Sequence, residues 1–96
     1  LGSDGLVVVV VTVDGHDGEI EGDVEVVTRG WVPRSDVGDY VAATQKTVRE
    51  AVEKALDAGE RDVEALKTIV RRSAGEATSD TTGRRPTIMP LVLEVQ

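Results

Sequence analysis

Hydrophobic positions recur along the chain in two rhythms, one for strands and one for helices. Leu6–Val13 is an apolar run broken only by Thr12 and bounded by Gly5 and by Asp14-Gly15. Apolarity that continues rather than alternates marks a strand covered on both faces, hence one in the middle of a sheet. Asp14–Asp23 is acidic, with glycines at 15, 18 and 22, and reads as a long hairpin loop. A second strand over Val24–Val32 alternates imperfectly; Arg29-Gly30 offers a bulge or a strand end, and Pro33 closes it. Ser35 or Asp36 then supplies a helix cap.

From about Asp36 to Ala58 the period lengthens. Val37, Tyr40, Val41, Thr44, Val48, Ala51, Val52, Ala55 and Leu56 recur at three- and four-residue spacings, which puts them on one face of a helix. Gly59 stands where a left-handed cap belongs. A second helix is predicted over about Glu60–Ala74, burying Val63, Leu66, Ile69 and Val70, with Arg71 and Arg72 in its last turn and Gly75 at its end. Thr78–Arg85 reads as a polar loop, with Glu76–Thr82 able to add an irregular helical turn. A last strand spans Thr87–Val95, where Pro90 demotes it to an edge or a bulge.

The order β-β-α-α-β predicts an α+β fold. Two antiparallel helices return the chain to the end where the second strand finished. The result is a two-layer sandwich: a three-stranded mixed sheet, order 2-1-3, with both helices on one face. The first strand is apolar on both sides, yet the helices cover only one face. The bare face predicts a partner surface. We assign that interface to Val7, Val9 and Val11 with Leu91 and Leu93, Val8 and Val10 being the alternative set from the first strand. Alternation alone does not choose between the sets, because a shift of one residue exchanges the two faces.

Composition narrows the classes. Ninety-six residues make one domain, expected over residues 4–96, with Leu1-Gly2-Ser3 reading as a cloning remnant. No cysteine is present, which removes disulfides and thiolate chemistry. Phe is absent, and Trp31 and Tyr40 are the only aromatics, so the sheet is not one that stacks bases. The longest apolar run is far short of the ~20 residues that span a bilayer, so a soluble, cytoplasmic chain with no membrane partner is expected. The formal charge of −7 is uneven: residues 1–28 hold seven acids and no Lys or Arg, while residues 29–96 hold eleven of each sign. That field opposes general nucleic-acid binding, although Lys67, Arg71, Arg72, Arg84 and Arg85 allow a local basic patch.

Candidate chemistry is sparse. His16, the single histidine, lies among Asp14, Asp17 and Glu19, but the calcium-loop spacing fails at His16 itself. The stretch reads as a solvated loop, with opportunistic divalent binding as the alternative. No nucleophile elbow, phosphate loop or ligand-spaced His/Asp cluster occurs, so no catalytic residue, metal ligand or cofactor is assigned. Two helices between strands also occur in the KH fold, which grips RNA with a GxxG loop. The corresponding turn here, Asp57-Ala58-Gly59-Glu60-Arg61-Asp62, has one glycine and three acids and repels phosphate. In Thr82-Gly83-Arg84-Arg85-Pro86, adjacent arginines point to different sides of an extended chain. They serve either an internal ion pair or an RNA-phosphate contact.

Asp4-Gly5-Leu6 leading into the valines, Thr28-Arg29-Gly30-Trp31-Val32, and Thr82-Gly83-Arg84-Arg85-Pro86-Thr87-Ile88-Met89-Pro90 with Glu94 occur here in order and span nearly the whole chain. In these segments the chain resembles the C-terminal domain of the ribonuclease J family. The resemblance implies a parent enzyme with a metallo-β-lactamase core and an inserted β-CASP domain. Zinc or another divalent metal in that core would activate water for endonucleolytic and 5′-to-3′ exonucleolytic RNA cleavage. It implies no catalytic or metal role for any residue here, since the HxHxDH motif is missing. The family's C-terminal domain is associated with oligomer assembly and full activity. The leading expectation is therefore a homo-oligomerisation module, working through the bare sheet face or docking on the parent's core. The alternatives are an RNA-guiding module built on Arg71, Arg72, Arg84 and Arg85, and a stabilising appendage.

Overall fold

The computed structural model describes residues 5–30 and 37–95. Six elements follow in order: β1 (Leu6–Asp14), β2 (Glu19–Ile20), β3 (Glu25–Arg29), α1 (Val37–Asp57), α2 (Val63–Thr82) and β4 (Thr87–Val95). The fold is the expected α+β sandwich, but its sheet has four strands rather than three. Trp31, Val32 and Pro33, and the expected caps Ser35 and Asp36, lie outside the described residues.

β1 is the central strand. β4 runs parallel to it along its whole length, from Leu6↔Thr87 to Asp14↔Val95. β2 and β3 pair antiparallel with β1, over Val13–Asp14 and Leu6–Val10 respectively. Since β4 occupies one edge of β1 throughout, β2 and β3 share the other as an interrupted strand. The expected long loop is thus a four-residue turn, Gly15–Gly18, followed by β2. The interruption around Gly22–Val24 frees backbone carbonyls, and α1 satisfies two of them: Gln45 Nε2 donates to Val24 O at 2.7 Å and Arg49 Nη1 to Gly22 O at 3.0 Å.

Pro90 sits on the outer strand without breaking it. Thr87 N donates to Gly5 O and Gly15 N to Val95 O, so the odd-numbered residues of β4 turn their backbone groups toward β1. The missing N–H of Pro90 therefore falls on the outer edge, where no ladder bond is lost.

The core lies between one sheet face and the two helices. Val7, Val9, Val11 and Val13 are buried against Tyr40, Val48, Val52 and Leu56 of α1 and Leu66, Val70 and Ala74 of α2. This corrects the interface assignment: Val7, Val9 and Val11 are 0% exposed and belong to the core, because their side of β1 is the one that meets the helices.

α2 also departs from expectation. It begins at Val63 behind Asp62, whose carboxylate accepts from Ala65 N, and it continues through Gly75 to Thr82. Gly83, at φ 70°, supplies the left-handed cap, its N–H donating to Ser79 O. Arg71 and Arg72 are therefore mid-helix, and no basic residue occupies the last turn. The second half of α2 buries Ser73, Ala74, Ala77 and Thr78, residues too small or polar to register as an apolar stripe. Their hydroxyls are satisfied locally: Ser73 donates to Ile69 O and Thr78 to Ala74 O, each at 2.7 Å. With its proton so used, Thr78 Oγ1 accepts from the Tyr40 hydroxyl at 2.6 Å, joining the start of α1 to the end of α2.

Candidate interaction surface

Strand register assigns the residues of the face turned away from the helices, since paired residues share a face and neighbours alternate. The β1 row is Leu6, Val8, Val10, Thr12 and Asp14, and the β4 row beside it is Thr87, Met89, Leu91, Leu93 and Val95. The third row starts with Arg29, Val27 and Glu25, opposite Leu6, Val8 and Val10. It continues with Glu21, whose N–H donates to Thr12 O, and Glu19, opposite Asp14.

Val27 (43% exposed), Met89 (47%), Leu91 (42%), Leu93 (53%) and Val95 (42%) all lie on this face. Leu91 and Leu93 are thus where the sequence placed them, and Val8 and Val10 replace the Val7 set between the flanking rows. Met89, Val27 and Val95 escaped sequence reasoning, as did the glutamates of the third row. Each becomes visible only through its pairing partner on β1.

At one end of the sheet the β1–β2 turn is tightly built. Asp14 Oδ1 accepts from His16 N at 2.8 Å and from Asp17 N at 3.0 Å, and Gly18 N donates to Asp14 O. The Asp17 amide, then the His16 amide, stabilise the carboxylate and hold Asp14 below the usual aspartate range. The Arg61 guanidinium packs against Gly18, whose φ is 70°; a Cβ there would stand within van der Waals overlap of it. Arg61 Nη1 also donates to Leu56 O and Glu60 O, which ties the turn to the α1–α2 connection. His16 therefore sits on an ordered turn, and no group of three or more His, Asp or Glu that could hold a metal occurs among the described residues.

The four arginines considered for RNA occupy different places. Arg71 and Arg72 are exposed in the middle of α2, and Arg84 and Arg85 are exposed beyond its cap. Thr82 lies ten positions beyond Arg72 on the same helix, about 15 Å at the rise of an α-helix. Among the described residues no helix is long and apolar enough to cross a membrane.

The chain is thus an open-faced β-β-β-α-α-β sandwich whose outer face carries exposed apolar side chains on β3 and β4. The comparisons give its family. The model of the ribonuclease J C-terminal domain matches residues 1–95, and the chain belongs to that family. It is 32% identical over 96 residues to ribonuclease J2 of Bacillus subtilis and 30% identical over 95 residues to ribonuclease J 2 of Staphylococcus aureus strain NCTC 8325. Each alignment covers 99% of this chain but 17% of the relative, so the chain spans about a sixth of those proteins' length.

Proposed function

We propose that this domain is the assembly module of a ribonuclease J-like enzyme and joins copies of that enzyme through its bare sheet face. One observation carries the reading: among the described residues the exposed large apolar side chains, Val27, Met89, Leu91, Leu93 and Val95, share that single face. β1 and β4, nine residues each at about 3.3 Å, with the interrupted β2/β3 row beside them and rows about 4.8 Å apart, give a face on the order of 400 Å². The apolar part of that face runs along β4 and the middle of β1, and a contiguous exposed apolar patch rimmed by polar residues marks an interaction site. Two such faces together cover roughly 800 Å² of flat area, below the roughly 1,200–2,000 Å² of standard specific complexes and in the range of weak, transient ones. In this reading RNA hydrolysis, with zinc or another divalent ion, belongs to the catalytic core of the full-length cytoplasmic enzyme. The domain contributes assembly and, through it, full activity.

Light scattering over a concentration series tests the reading. The mass should rise from the 10.2 kDa of the monomer toward twice that value. Leu91→Glu with Leu93→Glu should hold the protein at the monomer mass with an unchanged circular-dichroism spectrum. A wild-type monomer at every concentration would count against self-association and direct attention to the parent's core as the occupant. RNA binding that weakens with salt and disappears in Arg84→Ala/Arg85→Ala would favour the RNA-guiding role instead.

A further inference from the structure

The sheet has two edges, and they are built differently. On the β2/β3 side the strand is interrupted at residues 22–24, and Gln45 and Arg49 of α1 take the carbonyls of Val24 and Gly22. Short, interrupted edges of this kind do not template a further strand. β4 is nine residues of unbroken strand, and among the described residues it pairs with β1 alone. Its odd-numbered residues bond toward β1, so Ile88, Pro90, Val92 and Glu94 turn their backbone groups outward. Pro90 lacks a donor, and the outer row therefore offers three N–H groups and four carbonyls.

A groove lies along this edge, lined by Glu64, Lys67, Thr68 and Arg71 of one α2 face and by Met89, Pro90 and Leu91. Met89 and Leu91 belong to the face turned away from the helices, so a depression they share with α2 is at the outer margin of β4. Charge here runs against the chain's overall −7. Lys67 and Arg71 stand beside a single acid, Glu64, which Lys67 meets at 3.6 Å. Glu94 is at the far end of the strand, against Gly15, and Glu60 and Asp62 precede α2 at that same end. The edge is therefore cationic along its middle and acidic only where β4 finishes.

The geometry points to a peptide-docking edge: β4 accepts an extended acidic segment of another protein, whose backbone pairs with the outer row and whose carboxylates meet Lys67 and Arg71. A strand added there has two faces. Side chains on the helix side lie beside the half-buried Ile88, Pro90 and Val92, beneath the two cations, and glutamate fits that position. Side chains on the other side extend the row of Met89 and Leu91, where valine or isoleucine fits. The recognised segment thus alternates acidic and apolar residues. Main-chain bonds supply affinity in such strand addition, and the alternate side chains supply specificity. The edge and the bare face are different surfaces, so this docking does not depend on assembly through the face.

Fluorescence anisotropy of a labelled peptide of about eight residues, alternating glutamate and valine and titrated with the intact chain, tests this. Binding should saturate below about 1 mM, and the matching lysine–valine peptide should not bind. Lys67→Gln with Arg71→Gln should weaken binding about tenfold and flatten its salt dependence. Val92→Pro removes an outward donor without touching the β1 ladder and should weaken it about fivefold. Pro90→Val adds a fourth donor and should tighten it about threefold. N-methylation of alternate peptide amides should abolish binding for one set and be tolerated for the other, as only one side of the added strand meets β4. If circular dichroism shows Val92→Pro unfolded, Pro90→Val and the methylated peptides decide. No saturable binding, or binding indifferent to both methylated sets, overturns the proposal. So does a Val92→Pro effect confined to the chain's own mass, which would give the edge to a second copy. Oligouridylate that binds through Lys67 and Arg71 while the peptide does not would give the cations to nucleic acid instead.

Discussion

Thr44 is buried in the middle of the α1 stripe, between Tyr40 and Val48, and its Oγ1 has no hydrogen-bond partner. A desolvated hydroxyl without a partner costs about 1–3 kcal/mol, and valine matches threonine in shape and in χ1 stiffness. Thr44→Val should therefore stabilise the fold by about 1 kcal/mol, raising Tm by roughly 4–8 °C for a domain of this size. Thr44→Ala, which also removes the methyl group from a packed site, should not share the gain. Thermal unfolding followed by circular dichroism checks both. A lower Tm for the valine variant would mean that the hydroxyl holds a bond, for instance to a carbonyl one turn earlier, and would overturn the assignment. The contrast with Thr78 is instructive: the same residue type, equally buried, donates to Ala74 and accepts from Tyr40.

At the scale of elements, α2 holds two glycines that should respond in opposite directions. Gly75 is inside the helix and Gly83 caps it in the left-handed region, and a Cβ on either meets nothing within 4 Å. Contacts therefore play no part, and backbone preference alone sets the sign. Gly75→Ala should stabilise by about 0.5–1 kcal/mol and Gly83→Ala destabilise by about 1 kcal/mol, measured by urea unfolding. Destabilisation by Gly75→Ala would end the helix there, as sequence pattern alone suggests. That pattern was misleading because the segment after Gly75 packs through Ala77 and Thr78, whose burial leaves no hydrophobic periodicity. Apart from β2, a two-residue strand that the acidic, glycine-rich Asp14–Asp23 stretch hid as a loop, the element order was legible: a Val-rich β1 could only be central, Gly59 and Pro90 punctuated where the structure breaks or tolerates them, and the stripe from Tyr40 to Leu56 gave α1. The bare face was legible as well, since β1 is apolar on both sides and two helices cover one. Which valines faced it was not, because alternation in an all-apolar strand carries no sign. Only the pairing with Leu91 and Leu93 on one side and Arg29 on the other assigns Val8 and Val10 outward.

For the whole molecule, topology concentrates charge that the sequence only half reveals. The acids of the first 28 residues are evident as a run, but folding brings the end of α1, the start of α2 and the end of β4 to the same pole. Asp57, Glu60, Asp62 and Glu94 thereby join Asp14, Asp17, Glu19 and Glu21, with Arg61 among them. Arg49–Glu53 at 3.5 Å and Lys67–Glu64 at 3.6 Å are ion pairs within a single helix, each half exposed or more on at least one partner. Pairs of that kind contribute about 0.3–0.5 kcal/mol each. Repulsion across the acidic pole should outweigh them. Raising sodium chloride from about 10 to 150 mM shortens the screening length from roughly 30 to 8 Å. Screening on that scale weakens the repulsion between neighbouring loops more than the contacts within a helix. The Tm of the monomeric Leu91→Glu/Leu93→Glu variant should therefore rise by a few degrees over that range, which separates the effect on folding from any effect on association. A Tm that falls instead would mean that attractive networks dominate the pole. Arg61, already bonded to Leu56 O and Glu60 O and packed against Gly18, would then be the residue whose removal cancels the salt dependence.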